Sequence, residues 1–99
     1  MDLADQTKMA TIVVTIKIMP ESPDVDLKAI ENKATEEITK FGGDVGKVEI
    51  EPIAFGIKAL NLIFIMDEKK GSTDSLEESI RNIDGVESAE VSDVRRAIG

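Results

Sequence analysis

Ninety-nine residues with 20 acidic and 12 basic side chains carry a net charge of −8 and an isoelectric point near 4.5, which suits one domain and leaves little chain for a second core. With no cysteine and no histidine, disulfide frameworks, thiolate or imidazole metal sites and Cys- or His-based catalysis drop out. An acidic chain whose only aromatics are three phenylalanines is also a poor match to free RNA or DNA, because phosphate neutralisation supplies most non-specific affinity.

Residues 1–8 are polar, lack periodicity and lack the apolar stretch of a signal peptide, so they read as a frayed leader to a single domain over residues 9–99. Residues 10–19, ATIVVTIKIM, set Ile12, Val14, Ile16 and Ile18 at every second position, the pattern of a strand with one apolar face. Pro20 and Pro23 end it, and Asp24 or Asp26 offers an N-cap. Leu27, Ile30, Ala34, Ile38 and Phe41 then fall on one helical stripe, closed by Gly42-Gly43.

Residues 47–53, KVEIEPI, alternate with Val48, Ile50 and Pro52 inward, and Pro52 predicts an edge strand because it cannot donate to a ladder. Ala54, Phe55 and Gly56 form a short connection. Residues 57–66 are apolar on both faces and predict a central strand. A turn at residues 67–71 precedes Ser72 and Thr73, which offer caps for a second helix with Leu76, Ile80 and Ile83 on one face and Gly85 at its close. A weaker strand follows at residues 86–94, with Ala89 and Val91 inward, and Arg95-Arg96 opens the tail. The order βαββαβ, with right-handed crossovers, predicts an α+β ferredoxin-like sandwich: a four-stranded antiparallel sheet with both helices on one face.

Few residues point to chemistry. The carboxylates come in neighbouring pairs, Asp24/Asp26, Glu49/Glu51 and Glu77/Glu78, but the apparent calcium loop opening at Asp24 has Ala29 where a glycine is required. Capping and solvated faces account for them. The glycines match neither GxxxxGK[ST] nor GxGxxG. The longest apolar run, residues 59–66, is too short to span a bilayer. A soluble cytoplasmic protein is expected, without cofactor, metal or bond-making catalytic residue, and with no direct contact to nucleic acid or membrane.

Two features stand out. Phe55 lies between two strands where loops usually turn polar; it either folds back over the sheet end or forms an apolar wedge for a partner protein. Arg95-Arg96 is the only adjacent arginine pair in an acidic chain; it is either a solvated end or a cation for a partner's anionic or metal-binding pocket. The sheet face bearing Val13 and Thr15 is a third candidate docking surface.

The stretches VTIKIMPESPDVDL (14–27), EPIAFGIKALNLIF (51–64), GSTDSLEESI (71–80) and VSDVRR (91–96) together resemble the archaeal elongation factor 1-beta family, guanine-nucleotide exchange factors for elongation factor 1-alpha. The resemblance spans most of the chain from Met9 onward. It implies the ferredoxin-like fold, a GDP-bound GTPase as partner, and roles in exchange for an aromatic matching Phe55 and a C-terminal basic residue matching Arg96, where the related eukaryotic domain has lysine. On that expectation a cation competes with Mg²⁺ at the diphosphate, an apolar wedge displaces the elements that order the pocket, and GDP leaves. A small-ligand, amino-acid-binding regulatory module of the same topology is the alternative. An RNA-recognition domain is disfavoured by charge and by isoleucines at positions such as Ile16 and Ile63.

Overall fold

A computed structural model describes residues 11–96. The leader at residues 1–8, Ala10 of the first strand and the last three residues lie outside the described residues. Strand β1 (Thr11–Pro20) leads to helix α1 (Leu27–Phe41), strands β2 (Asp44–Ala54) and β3 (Ile57–Asp67), a 3-10 turn (Glu68–Lys70), helix α2 (Asp74–Arg81) and strand β4 (Val86–Arg96). The sheet order is β2-β3-β1-β4 and every pairing is antiparallel. This is the expected ferredoxin-like arrangement, with β2 at an edge as Pro52 predicted.

Alternation sets the faces. Val14, Ile16 and Ile18 of β1 lie opposite Phe64, Leu62 and Leu60 of β3, and all six are buried under Ile30, Ala34 and Ile38 of α1 and Leu76 and Ile80 of α2. One sheet face thus carries both helices and the other stays open. Leu27, Phe41, Ile83 and Val91 pack at the margin of this core.

The element ends follow local chemistry. Of the two candidate caps, Asp26 does the work: its Oδ1 accepts from the backbone N–H of Lys28 at 3.0 Å and of Ala29 at 3.4 Å. Gly42 ends α1 in the left-handed region, φ 107°, and Gly43 follows for a second reason. A Cβ there would stand 2.8 Å from both Ile38 Cγ2 and Phe64 Cδ2. At α2, Thr73 occupies the N-cap without a side-chain hydrogen bond, while Ser72 Oγ accepts from Asp74 N–H at 3.0 Å.

Strand boundaries differ from the expectation at the start of β2 and the end of β4. β2 begins three residues earlier, at Asp44, because the extra residue Gly46 is absorbed between Val45 and Lys47. Val48 and Ile50 do face the helix side, opposite Leu62 and Leu60, yet stay 36% and 48% exposed. β4 runs on through Arg95 and Arg96, so the arginine pair belongs to a strand rather than to a frayed tail.

Candidate functional site

Phe55 and Gly56 are the two residues of a tight hairpin whose flanking partners are Ala54 and Ile57. Both have positive φ, 55° and 79°, the combination a type I′ turn requires. Gly56 meets that requirement freely. Phe55 does not: it is the sole non-glycine residue with positive φ among the described residues, and an L-residue held there costs roughly 1–2 kcal/mol. Phe55 is 96% exposed, so it does not fold back over the sheet end. An extra residue at Ile53 bends the strand leading into the turn. Pro23 of the β1–α1 connection lies close to the tip, 3.6 Å from where a Gly56 Cβ would sit. Beside it lies a hollow of about 350 Å³ bordered by Pro23, Val25, Lys28, Gly56 and Lys58.

The arginines sit at the opposite end of the sheet. Arg96 is in register with Ile12 near the start of β1, and Ile12 in turn faces Met66 near the end of β3. Nine residue steps along β3 separate that level from Ile57, about 30 Å at strand rise, in a molecule whose longest dimension is 52 Å. Phe55 and Arg96 therefore do not converge on one pocket.

Nor do the two arginines share a face. Successive strand side chains point to opposite faces. Arg95, in register with Val13, borders the open face and donates its Nε–H to Asp93 Oδ2 at 2.8 Å. Arg96 lies on the helix side, where its guanidinium meets Glu68 through Nη1–Oε1 at 3.2 Å and Nη2–Oε2 at 3.3 Å. Which arginine takes which face is set by a bulge: Thr15 pairs with Asp93 and Ile16 with Val91, so Ser92 is the extra residue. Its hydroxyl donates to the Thr15 carbonyl at 3.4 Å.

On the open face, Val13, Thr15, Lys17, Asn61, Ile63 and Arg95 help to line a shallow concavity of about 430 Å³. Lys17 pairs with Glu51 at 3.7 Å, and Asn61 donates to the same carboxylate at 3.1 Å. Sequence reasoning singled out this face but not Glu68, whose link to Arg96 depends on strand order. Glu49 pairs with Lys47 at 3.0 Å, and Glu77 accepts from Val91 N–H at 2.7 Å. Glu49 and Glu51 thus serve separate partners, as Glu77 serves a backbone N–H. Among the described residues no three acidic side chains gather as a metal site, and no helix is long and apolar enough to cross a membrane.

A model of the EF-1 guanine nucleotide exchange domain matches residues 13–97, nearly the whole chain and both ends of the sheet. The chain belongs to this family. Proteins named elongation factor 1-beta from Methanothermobacter thermautotrophicus and Methanobrevibacter smithii are each 48% identical to it over 88 residues, covering 89% of this chain and 98% of theirs. That from Staphylothermus marinus is 39% identical over 89 residues, again 89% and 98%. Among solved structures, the ACT domain of a Chlorobium tepidum GTP pyrophosphokinase aligns with TM-score 0.56 at 23% identity, covering 82% of this chain and 97% of that one. The C-terminal domain of MgtC from Mycobacterium tuberculosis gives 0.57 at 10%, covering 90% and 88%. These two likenesses are of fold alone. Membership in the EF-1 exchange-domain family gives the chain a role in nucleotide exchange during translation elongation, one that needs no bond-making residue, and the amino-acid-binding alternative is not favoured.

Proposed function

We propose that residues 9–99 form a domain that speeds release of GDP from elongation factor 1-alpha in the cytoplasm by gripping it at two separated points. At one end Arg96 enters the pocket where Mg²⁺ and partner side chains hold the diphosphate. A cation there competes with the metal for phosphate oxygens and so weakens the nucleotide's hold. Arg95 flanks that contact from the open face, and at the other end Phe55 docks as an apolar anchor on a second site of the same partner. Linkage then requires bound nucleotide to weaken the domain's affinity by the same factor. No covalent bond is made or broken.

The observation that carries this reading is the separation itself. Two unusual side chains, one on a strained turn and one at a strand end, stand about 30 Å apart on a rigid sheet, too far for one pocket and well suited to two contacts on one large partner. Stopped-flow release of labelled GDP from archaeal elongation factor 1-alpha tests it. Phe55→Ala and Arg96→Ala should each slow catalysed release by roughly tenfold without loss of fold, and Arg96→Lys should retain more activity than Arg96→Ala. Release at the wild-type rate by both alanine variants rejects the assignment.

A further inference from the structure

The carboxylate of Glu68 occupies two of the five N–H donors of Arg96 through parallel bonds of 3.2 and 3.3 Å, and the other three donors of a rigid planar fork meet no acceptor among the described residues. Glu68 is itself anchored. It opens the 3-10 turn that follows β3, its carbonyl accepts from Gly71 N–H at 3.2 Å, and Asp67 Oδ1 caps the turn through Lys69 N–H at 2.9 Å. The next lysine, Lys70, lays its stem against Gly42, where an added Cβ would stand 2.5 Å from Lys70 Cε. The turn thus lies beside the C-terminus of α1. Arg96, two strands away on β4, reaches it across the start of β1.

We infer that Glu68 is a positioning residue for exchange: it grips the Arg96 guanidinium in the free protein so that the remaining donors face outward toward a diphosphate. The inference rests on Arg96 acting at the partner's diphosphate pocket. Its physical basis is preorganisation. An arginine has several rotatable bonds, and the freedom lost when it docks on an anion weakens the complex unless it has been lost beforehand. Arg96 is 69% and Glu68 40% exposed in their side chains, and an exposed pair adds little to stability. Its consequence is orientation. Arg95, bonded to Asp93 of its own strand on the opposite face, has no such carrier on the helix side.

The experiment compares Glu68→Ala and Glu68→Gln with the wild-type domain, reading the maximal rate of GDP release at saturating domain, the half-saturating concentration and the melting temperature. Both variants should lower the maximal rate by roughly fivefold and leave melting within about 2 °C of wild type. In an Arg96→Lys background, whose ammonium cannot form two parallel bonds to one carboxylate, Glu68→Ala should change the rate by less than about twofold. Faster release by Glu68→Ala would mean the carboxylate shields Arg96 and overturns the inference. An unchanged maximal rate, or the same loss in the Arg96→Lys background, overturns it as well. Arg96→Ala releasing GDP as fast as wild type would instead strike the underlying reading of Arg96, so the two failures are told apart.

Discussion

At Phe55 local stability and the proposed function pull in opposite directions. The first central position of a type I′ turn favours asparagine or glycine, because φ there must be positive. A phenylalanine with φ 55° and 96% exposure gains almost no burial to offset that cost. Phe55→Asn should therefore stabilise the domain by about 0.5–1 kcal/mol, seen as a higher urea midpoint, while catalysed GDP release falls as far as in Phe55→Ala. Gly43 supplies the opposite case at this scale. Gly43→Ala forces a Cβ between Ile38 and Phe64 and should cost about 1–3 kcal/mol, measured by denaturation, with the proposed exchange surface untouched.

The two sheet edges are managed differently. At β4, α2 fastens the strand from the side: Glu77 accepts from Val91 N–H at 2.7 Å, and Arg81 donates its Nε–H to the Ala89 carbonyl at 3.1 Å. Residues one helical turn apart thus satisfy backbone groups two strand positions apart. That occupies an edge which would otherwise invite another strand. Glu77→Ala should cost about 1–2 kcal/mol, read from urea denaturation, because a half-buried N–H at the Ser92 bulge loses its partner. β2 relies on Pro52, on the bulges at Gly46 and Ile53 and on the Lys47–Glu49 ion pair. The edge position of β2 was legible from Pro52 alone. That Val48 and Ile50 remain exposed was not, since alternation assigns a face and helix placement decides whether that face is covered.

Across the whole molecule the two proposed contact ends lie about 30 Å apart and share no neighbours, so their effects should be independent. Phe55→Ala combined with Arg96→Ala should lose a free energy of activation within about 0.5 kcal/mol of the two separate losses added together. Glu68 and Arg96, which touch, should depart from additivity in the same assay. The net charge of −8 bears on encounter rather than on grip. Against a basic docking surface, association should slow steeply as salt rises from about 0.05 to 0.5 M. A flat salt profile in stopped-flow association would reject electrostatic steering.

Period-two and helical patterning, with a breaker between each pair of elements, were enough to specify the βαββαβ order, the core and the edge strand, because those depend on neighbours within a few residues. Phe55 and the arginine pair were legible as oddities for the same local reason. Their geometry was not. Whether Phe55 folded inward depended on a backbone conformation that residue type would not suggest. The face taken by each arginine turned on one extra residue, Ser92, which inverts the alternation beyond it. The Glu68–Arg96 pair joins residues 28 apart, and it exists because β1 places the ends of β3 and β4 on either side of itself. Spacing along a chain carries no information about which distant strand ends will meet; that comes from the order in which the sheet is assembled.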